Sequence, residues 1–382
     1  MWSISSAVLV SMIFTSFPDS IFAFFFTAFA LTVIGSIPLI ALLKKLHITR
    51  RDEHDFSSLI AGREAKIGTP IMGGIIIVSV IAVLTTMFNW HRETTYVPIG
   101  VLLLSAALGG LDDLLNIFYT KTRPVRTLGK VWTLIRVHKN ILARVWYVLL
   151  LPWYAYKRFF YLLGSHPGSG IQAHEKILVQ FIIGCIIAWW LSFKLSWTSI
   201  WIPWHGSYDL GWMIVPLIIF LVMFMSNAVN ITDGIDGLSA GTLLLSYSAF
   251  FIVALQHRNT DFIFLIAVTI GALLGYLLFN IKPARYQMGD VASLGMGVML
   301  TAIAFALDRV VLLPIIGGIF VIEIVSVLIQ VAWRVLFGHR LLAMAPLHHH
   351  LEITGWSEAT IVMYAWAVAS LFSMTAIWLS FH

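Results

Sequence analysis

Ten runs along the chain carry few or no charged residues and are long enough, or nearly so, to cross a bilayer. They cover residues 21–43, 71–90, 97–111, 177–193, 210–228, 238–255, 262–281, 291–307, 310–336 and 361–380. A helix needs about 20 apolar residues to span the hydrocarbon core. In lipid a helix also satisfies each backbone N–H and C=O internally, as an open strand cannot. The pattern therefore predicts an all-α polytopic membrane protein with about ten transmembrane helices. The run at 97–111 is short and is expected to continue past its last apolar residue. No Lys or Arg precedes Lys44, so the first run lacks the basic leader of a cleaved signal and is expected to be a retained helix.

Composition agrees. Hydrophobic types make up 59% of the 382 residues, charged types 11%, and the mean hydropathy is +0.91. Soluble domains run near 45–50% apolar and about 25% charged, so a disordered chain and an ordinary soluble enzyme are both disfavoured. The lone cysteine, Cys185, excludes a disulfide scaffold. With ten spans, the loops after the odd-numbered helices share one side, and they hold all the Lys and Arg except Arg92, Lys194, Arg258 and Arg309, twenty of 24. The positive-inside rule makes that side cytoplasmic and both termini periplasmic.

Residues 1–382 read as one integral-membrane domain with one odd segment, 122–168. There basic residues (Arg136, Lys139, Arg144, Lys157, Arg158) alternate with aromatics (Trp132, Trp146, Trp153, Tyr154, Phe159, Phe160), and Pro124, Pro152 and Pro167 interrupt it. A basic, aromatic, amphipathic stretch suits the cytoplasmic membrane surface. A re-entrant hairpin is the alternative.

Acidic residues are scarce, and five of them fall at cytoplasmic helix ends. Asp112 and Asp113 follow the third apolar run. Asp233 and Asp236 lie in Asn227-Ala-Val-Asn-Ile-Thr-Asp-Gly-Ile-Asp-Gly-Leu238, and Asp290 lies in Met288-Gly-Asp-Val291. Hard oxygen ligands beside basic loops suit Mg²⁺, which bridges to substrate phosphates. Each cluster has a blander reading. The Asp pair could be a solvated helix end, although the macrodipole disfavours negative charge there. Asp290 could simply cap a helix. The Asn/Asp cluster resists such a reading. Its polar residues recur every three positions and drift about 60° per step on a straight helix, so the helix is expected to end near Asn230, with both Asp on a glycine-bearing loop. So dense a polar run against a membrane helix marks a functional site.

Three consecutive histidines, His348, His349 and His350, lie in Ala345-Pro-Leu-His-His-His-Leu-Glu352. Adjacent side chains point apart, which disfavours a shared zinc and favours imidazoles meeting phosphate or carboxylate oxygens. Gly68-Thr-Pro-Ile-Met-Gly-Gly74, preceded by Arg63 and Lys66, reads either as an anion-binding turn or as a helix start. Glu323, inside the ninth run, reads as a hydrogen bond to a neighbouring helix or as part of a transport path.

Taken in order, Gly68–Gly74, Leu111-Asp-Asp113, the 227–238 block, Met288–Val291 and the histidine motif resemble the bacterial phospho-N-acetylmuramoyl-pentapeptide-transferases, within the polyprenyl-phosphate N-acetylhexosamine-1-phosphate transferases of glycosyltransferase family 4. The resemblance covers nearly the whole chain. It implies a multi-pass protein of the bacterial cytoplasmic (inner) membrane. It implies transfer of phospho-N-acetylmuramoyl-pentapeptide from its UDP carrier to undecaprenyl phosphate, giving lipid I and UMP, the first membrane step of peptidoglycan synthesis. The partners implied are those two substrates and membrane lipids, with a homodimer left open and no nucleic acid. The resemblance further implies Asp112 or Asp113 as base or orienter of the lipid phosphate. Mg²⁺ would sit on Asp290 with Asp113 and Asn230, and His348 would meet the diphosphate. Lys66, Thr69, Lys176, Asn227, Asn230, Asp233, Asp236, His349 and His350 would contact substrate.

Two departures from the family pattern stand out. The usual Lys three residues after the second Asp is Asn116 here, with Lys121 as a substitute from further along. The element that ordinarily follows the Asp-Asp loop closely has its best match at Gly170-Ile-Gln-Ala-His-Glu-Lys176, so the basic, aromatic stretch reads as an insertion of about 45 residues. A UDP-N-acetylglucosamine phosphotransferase is the nearest alternative. A cation-coupled transporter and an inactive scaffold are the alternatives from other classes.

Overall fold

A computed structural model describes residues 17–50, 66–89, 95–118, 128–162 and 171–382. Among the described residues ten apolar helices stand where the ten runs predict them. These are α1 (Phe17–Lys45), α2 (Ile75–Asn89), α3 (Tyr96–Phe118), α7 (Ala173–Trp189), α8 (Ile214–Thr232), α9 (Leu238–Gln256), α10 (Thr260–Asn280), α11 (Asp290–Ala306), α13 (Gly318–Phe337) and α15 (Glu358–Ser380). Eight are long and apolar enough to cross a membrane, and α2 and α11 are shorter. The chain is a multi-pass, all-α membrane protein.

Three local features differ from the pattern of runs. As expected, α3 outlasts its apolar run, so Asp112 and Asp113 sit inside the helix rather than closing it. The long run at 310–336 is broken into a 3₁₀ turn (Val310–Leu312), the four-residue α12 (Leu313–Ile316) and α13, with Gly317 between the last two. Between α7 and α8 the chain makes a small antiparallel hairpin, β1 (Ser199–Ile202) with β2 (Gly206–Asp209), pairing Ser199 with Asp209 and Ile202 with Gly206. Four-residue strands are too short to register against the surrounding apolar sequence.

The centre of the bundle is α11. Every residue from Val291 to Phe305 is buried, packed against α3 on one side and α8 on the other. Small residues let it be surrounded so closely, as is common between membrane helices. At Gly109 on α3 any Cβ would overlap the carbonyl of Asp290, so the two backbones touch where α11 begins. α10 lies between α1 and α9, and α15 closes the bundle against α9. The outward faces of α1, α8 and α15 keep large apolar side chains such as Phe22, Ile34, Phe220 and Leu371 exposed, as lipid-facing surfaces do.

The odd segment contributes three short helices, α4 (Leu128–Val137), α5 (Ile141–Leu149) and α6 (Leu151–Leu162). Each is too short to span. α5 buries none of its residues and leaves Ile141, Leu142, Val145, Trp146 and Leu149 exposed, while α6 packs on the start of α7.

Because α3 and α11 meet backbone to backbone, Gly109→Ala is expected to destabilise the fold by about 1–3 kcal/mol, the usual range for overpacking. A lowered thermal midpoint of the detergent-solubilised protein would register it.

Candidate active site

The loop before α11 is held from three sides. Gly73 and Gly74 donate their amides to the carbonyls of Gln287 (2.7 Å) and Met288 (2.9 Å), and Gln287 donates to Pro70 (2.8 Å). Asn280 donates its side-chain amide to the carbonyl of Tyr286 (3.1 Å). The glycine-rich motif at 68–74 is therefore a seat for the Met-Gly-Asp loop as well as the start of α2. Gly289 adopts φ +72, a conformation that disfavours other residues, and this turns the chain into α11.

The first amides of a helix need acceptors, and here carboxylates from other elements supply them. Asp233 accepts from the amide of Gly289 (3.1 Å) and Asp113 from that of Val291 (3.2 Å). The dipole penalty expected for acidic residues near the end of α3 is offset, because they face the positive end of α11.

The other carboxylates meet around one ammonium. Lys176 Nζ lies 2.6 Å from Asp112 and 2.7 Å from Asp290. Asp112 also accepts from the amide of Ile171 (2.6 Å) and from Asn116 Nδ2 (3.1 Å). Asn230 donates to Asp290 (2.7 Å) and to Ser293 (2.9 Å). Burial pushes the Asp233 carboxyl up to about 8; the Gly289 amide opposes this, and the Asp290 and Asp236 carboxylates add to it.

Asp112, Asp113, Asn230, Asp233 and Asp290 are thus brought together from α3, α8, the loop after α8, and α11. α8 runs two residues beyond the expected end, to Thr232, with Asp233 as its C-cap. Asn227 points away, donating to Gln180 (2.6 Å) and to the carbonyl of Met223 (2.8 Å), as the 60° drift requires. Asn116 touches Asp112 but brings no charge, and the cation comes from Lys176. Arg63, Lys121 and Gly170 lie outside the described residues.

Lys66 and Asp236 belong to a neighbouring network. Lys66 Nζ lies 2.9 Å from Asp236 and 2.5 Å from Glu358, and Lys282 lies 2.8 Å from the same Glu358. Asp236 accepts from the amide of Ala284 (3.1 Å). Thr69 is half-buried in the same strap, its backbone paired with Lys66 and Arg50. Glu358 escaped the sequence reading. An acidic residue in the first turn of a membrane helix was the available signal.

The histidines sit on α14 (Leu347–Ile353), and the expectation that adjacent side chains point apart fails for the first two, whose rings meet edge to face with centroids 4.0 Å apart. His348 is fully buried; its backbone amide (3.3 Å) and Nδ1 (3.0 Å) both reach Glu323 Oε2. Its Nε2 abuts Gly234 of the Asp loop. His349 Nδ1 pairs with Glu352 (2.7 Å). His350 keeps a buried Nδ1 without a hydrogen bond. Glu323 is therefore an anchor for His348, and this removes the motive for a transport path.

Among the described residues no three His, Cys, Asp or Glu side chains are arranged to hold a metal by themselves. The donor set still suits a hard cation. Asp112, Asp113, Asp233 and Asp290 crowd together with a single ammonium in direct contact, and a carboxylate cluster so short of positive charge fits a divalent ion completed by water or phosphate.

Residues 168–308 match the family model described as glycosyl transferase family 4. The chain is 34% identical over 359 residues to the phospho-N-acetylmuramoyl-pentapeptide-transferase of Geobacillus thermodenitrificans, covering 92% of this chain and 95% of that protein. It is 33% identical over 359 residues to the one from Halalkalibacterium halodurans, with the same coverage. With the one from Levilactobacillus brevis it shares 33% over 322 residues, 82% of this chain and 85% of that protein.

Glu323→Ala leaves the buried amide and Nδ1 of His348 without their acceptor. The expected cost is about 1–3 kcal/mol, seen as a lower thermal midpoint, and Glu323→Gln should recover most of it by keeping an acceptor oxygen.

Proposed function

The chain belongs to the phospho-N-acetylmuramoyl-pentapeptide-transferase family, and from that premise we propose that the carboxylate cluster at the start of α11 is where the transfer takes place. The reaction carries phospho-N-acetylmuramoyl-pentapeptide from UDP to undecaprenyl phosphate and yields lipid I and UMP. A lipid phosphate oxygen attacks the sugar-bearing β-phosphorus, and the bond from that phosphorus to the oxygen of UMP breaks. One observation carries the placement: four carboxylates from α3, the loop after α8 and α11 gather at the start of α11, two of them on the Lys176 ammonium and two on backbone amides.

Asp113 and Asp290 are the proposed Mg²⁺ ligands. Asn230 joins them once its amide is turned, because it now presents nitrogen to Asp290. Bound there, the ion supplies charge neutralisation for the diphosphate and the departing UMP. Asp112 is held by three donors, which suits it to orient the lipid phosphate and take its remaining proton. Both oxygens of Asp112 and of Asp290 already accept hydrogen bonds. That engagement favours one direct displacement over a phosphorylated aspartate.

Lys176 balances Asp112 and Asp290 and draws the phosphates in. With its Nδ1 on Glu323, His348 offers Nε2 toward the loop that holds the nucleotide-sugar. Asp233 and Asn230 contact the nucleotide-sugar directly. Lys66 and Asp236 act through the loop that they brace, with Thr69, Asn227, His349 and His350 around it.

The basic loops support a cytoplasmic setting for this end of the bundle, at the inner membrane, where a soluble nucleotide-sugar would meet a lipid acceptor. Residues 128–162 would lie on that surface, with the exposed apolar residues of α5 against lipid and Arg136, Lys139 and Arg144 toward anionic headgroups.

Asp113→Asn, Asp233→Asn and Asp290→Asn are each expected to cut UMP release by orders of magnitude, and release should require both Mg²⁺ and the polyprenyl acceptor. Near-normal turnover in any one variant removes that residue from the mechanism. Replacing Arg136, Lys139 and Arg144 by Gln should raise the apparent KM for undecaprenyl phosphate by about two orders of magnitude in anionic vesicles, at about 1 kcal/mol per charge lost near the surface. The KM for the nucleotide-sugar should stay unchanged.

A further inference from the structure

The segment between α3 and α7 touches the site through one short path of contacts. The path starts on α6. Tyr161 Oη donates to Gln172 Oε1 (2.9 Å), and Tyr156 Oη donates to the carbonyl of His174 (3.0 Å). The imidazole of His174, fully buried, sits among the rings of Trp153, Tyr156, Phe160 and Tyr161, with centroids 5.3–6.2 Å away. Gln172 and Glu175 form a reciprocal cap at the start of α7, the backbone amide of Gln172 donating to Glu175 (3.1 Å). Residues on either side of this grip reach the carboxylates directly: the amide of Ile171 donates to Asp112 (2.6 Å), and Lys176 bridges Asp112 and Asp290.

The geometry points to Tyr156 and Tyr161 as positioning residues for the transfer. They act through residues 171–176. Their hydroxyls and the aromatic box fix the first turn of α7, so that one backbone amide and one ammonium arrive on Asp112 together. A lysine side chain has four rotatable carbons and loses much rotamer freedom when it is held between two carboxylates. Fixing its backbone from the far side reduces what must be ordered at the moment of reaction. The need is physical. α3 carries Asn116 one turn after Asp112, which supplies a hydrogen bond but no charge. The positive charge must therefore come from α7, and α7 is steadied there by the inserted helix. The insertion thus serves the reaction centre as well as the membrane surface.

The inference rests on the cluster being the transfer site, so the experiment separates the two. The full-length Tyr156→Phe/Tyr161→Phe protein keeps the rings and removes only the two hydroxyls. UMP release should show kcat lowered about tenfold, the value of two neutral hydrogen bonds expressed as a rate. The KM for the nucleotide-sugar should stay within about twofold, because those contacts lie elsewhere. Hydrogen exchange of the same protein in detergent should quicken at residues 171–176 and stay unchanged in α8 and α11. An unaltered kcat overturns the proposal. So does a joint fall of kcat, substrate affinity and thermal midpoint with faster exchange throughout, which is the mark of lost packing alone. Lys176→Met, run alongside, tests the underlying reading. Normal turnover in that variant removes Lys176 from the site, whereas impaired turnover there with normal tyrosine variants removes only the role of α6.

Discussion

The N-terminus of α11 lies inside the protein, and its first amides are met by carboxylates that other elements carry in. Few sequences allow this arrangement. Buried amides demand acceptors, and α3 can deliver Asp113 only because Gly109 lets its backbone touch that of Asp290. The left-handed turn at Gly289 leaves room for the Asp113 carboxylate, which a Cβ there would meet, while its amide donates to Asp233. The contact that joins the two helices therefore also collects the acidic groups.

Collection alone would be unfavourable. Four carboxylates share one end of a membrane bundle, and the protein's own compensation is incomplete: one ammonium, several amides and the dipole of α11. Such a site is held in shape by hydrogen bonds yet remains short of positive charge. That combination suits the proposed centre, which would take in a metal ion and two phosphate-bearing substrates and release UMP and a lipid diphosphate. Around it the ion pairs of Lys66, Asp236, Glu358 and Lys282 are nearly balanced. They tie the loops from α8 and α10 to the start of α15, giving the open cluster a fixed rim.

The histidine motif and the short helices before α7 use the same kind of indirect support. Glu323 holds His348 from within a membrane helix, so the imidazole reaches the Asp loop in one orientation. The aromatic face of α6 holds the first turn of α7, so Lys176 reaches Asp112 and Asp290. In both cases a residue farther from the carboxylate cluster decides where a nearer one can stand.

Sequence alone marked a multi-pass membrane protein with ten apolar runs, each met by a helix among the described residues, because lipid forces every spanning segment into an apolar run, and its basic loops distinguished one end of the bundle. It also marked Asp112, Asp113, Asp233 and Asp290, since acidic residues are rare enough here to be noticed one by one. It could not show that Asn227 turns to Gln180, that Lys66 and Asp236 pair with Glu358, or that Lys176 from beyond the insertion supplies the charge missing at Asn116. Those are contacts between residues tens to hundreds of positions apart. Local periodicity says which face of a helix is apolar, but not which neighbour that face will meet, so only the packed tertiary structure decided them.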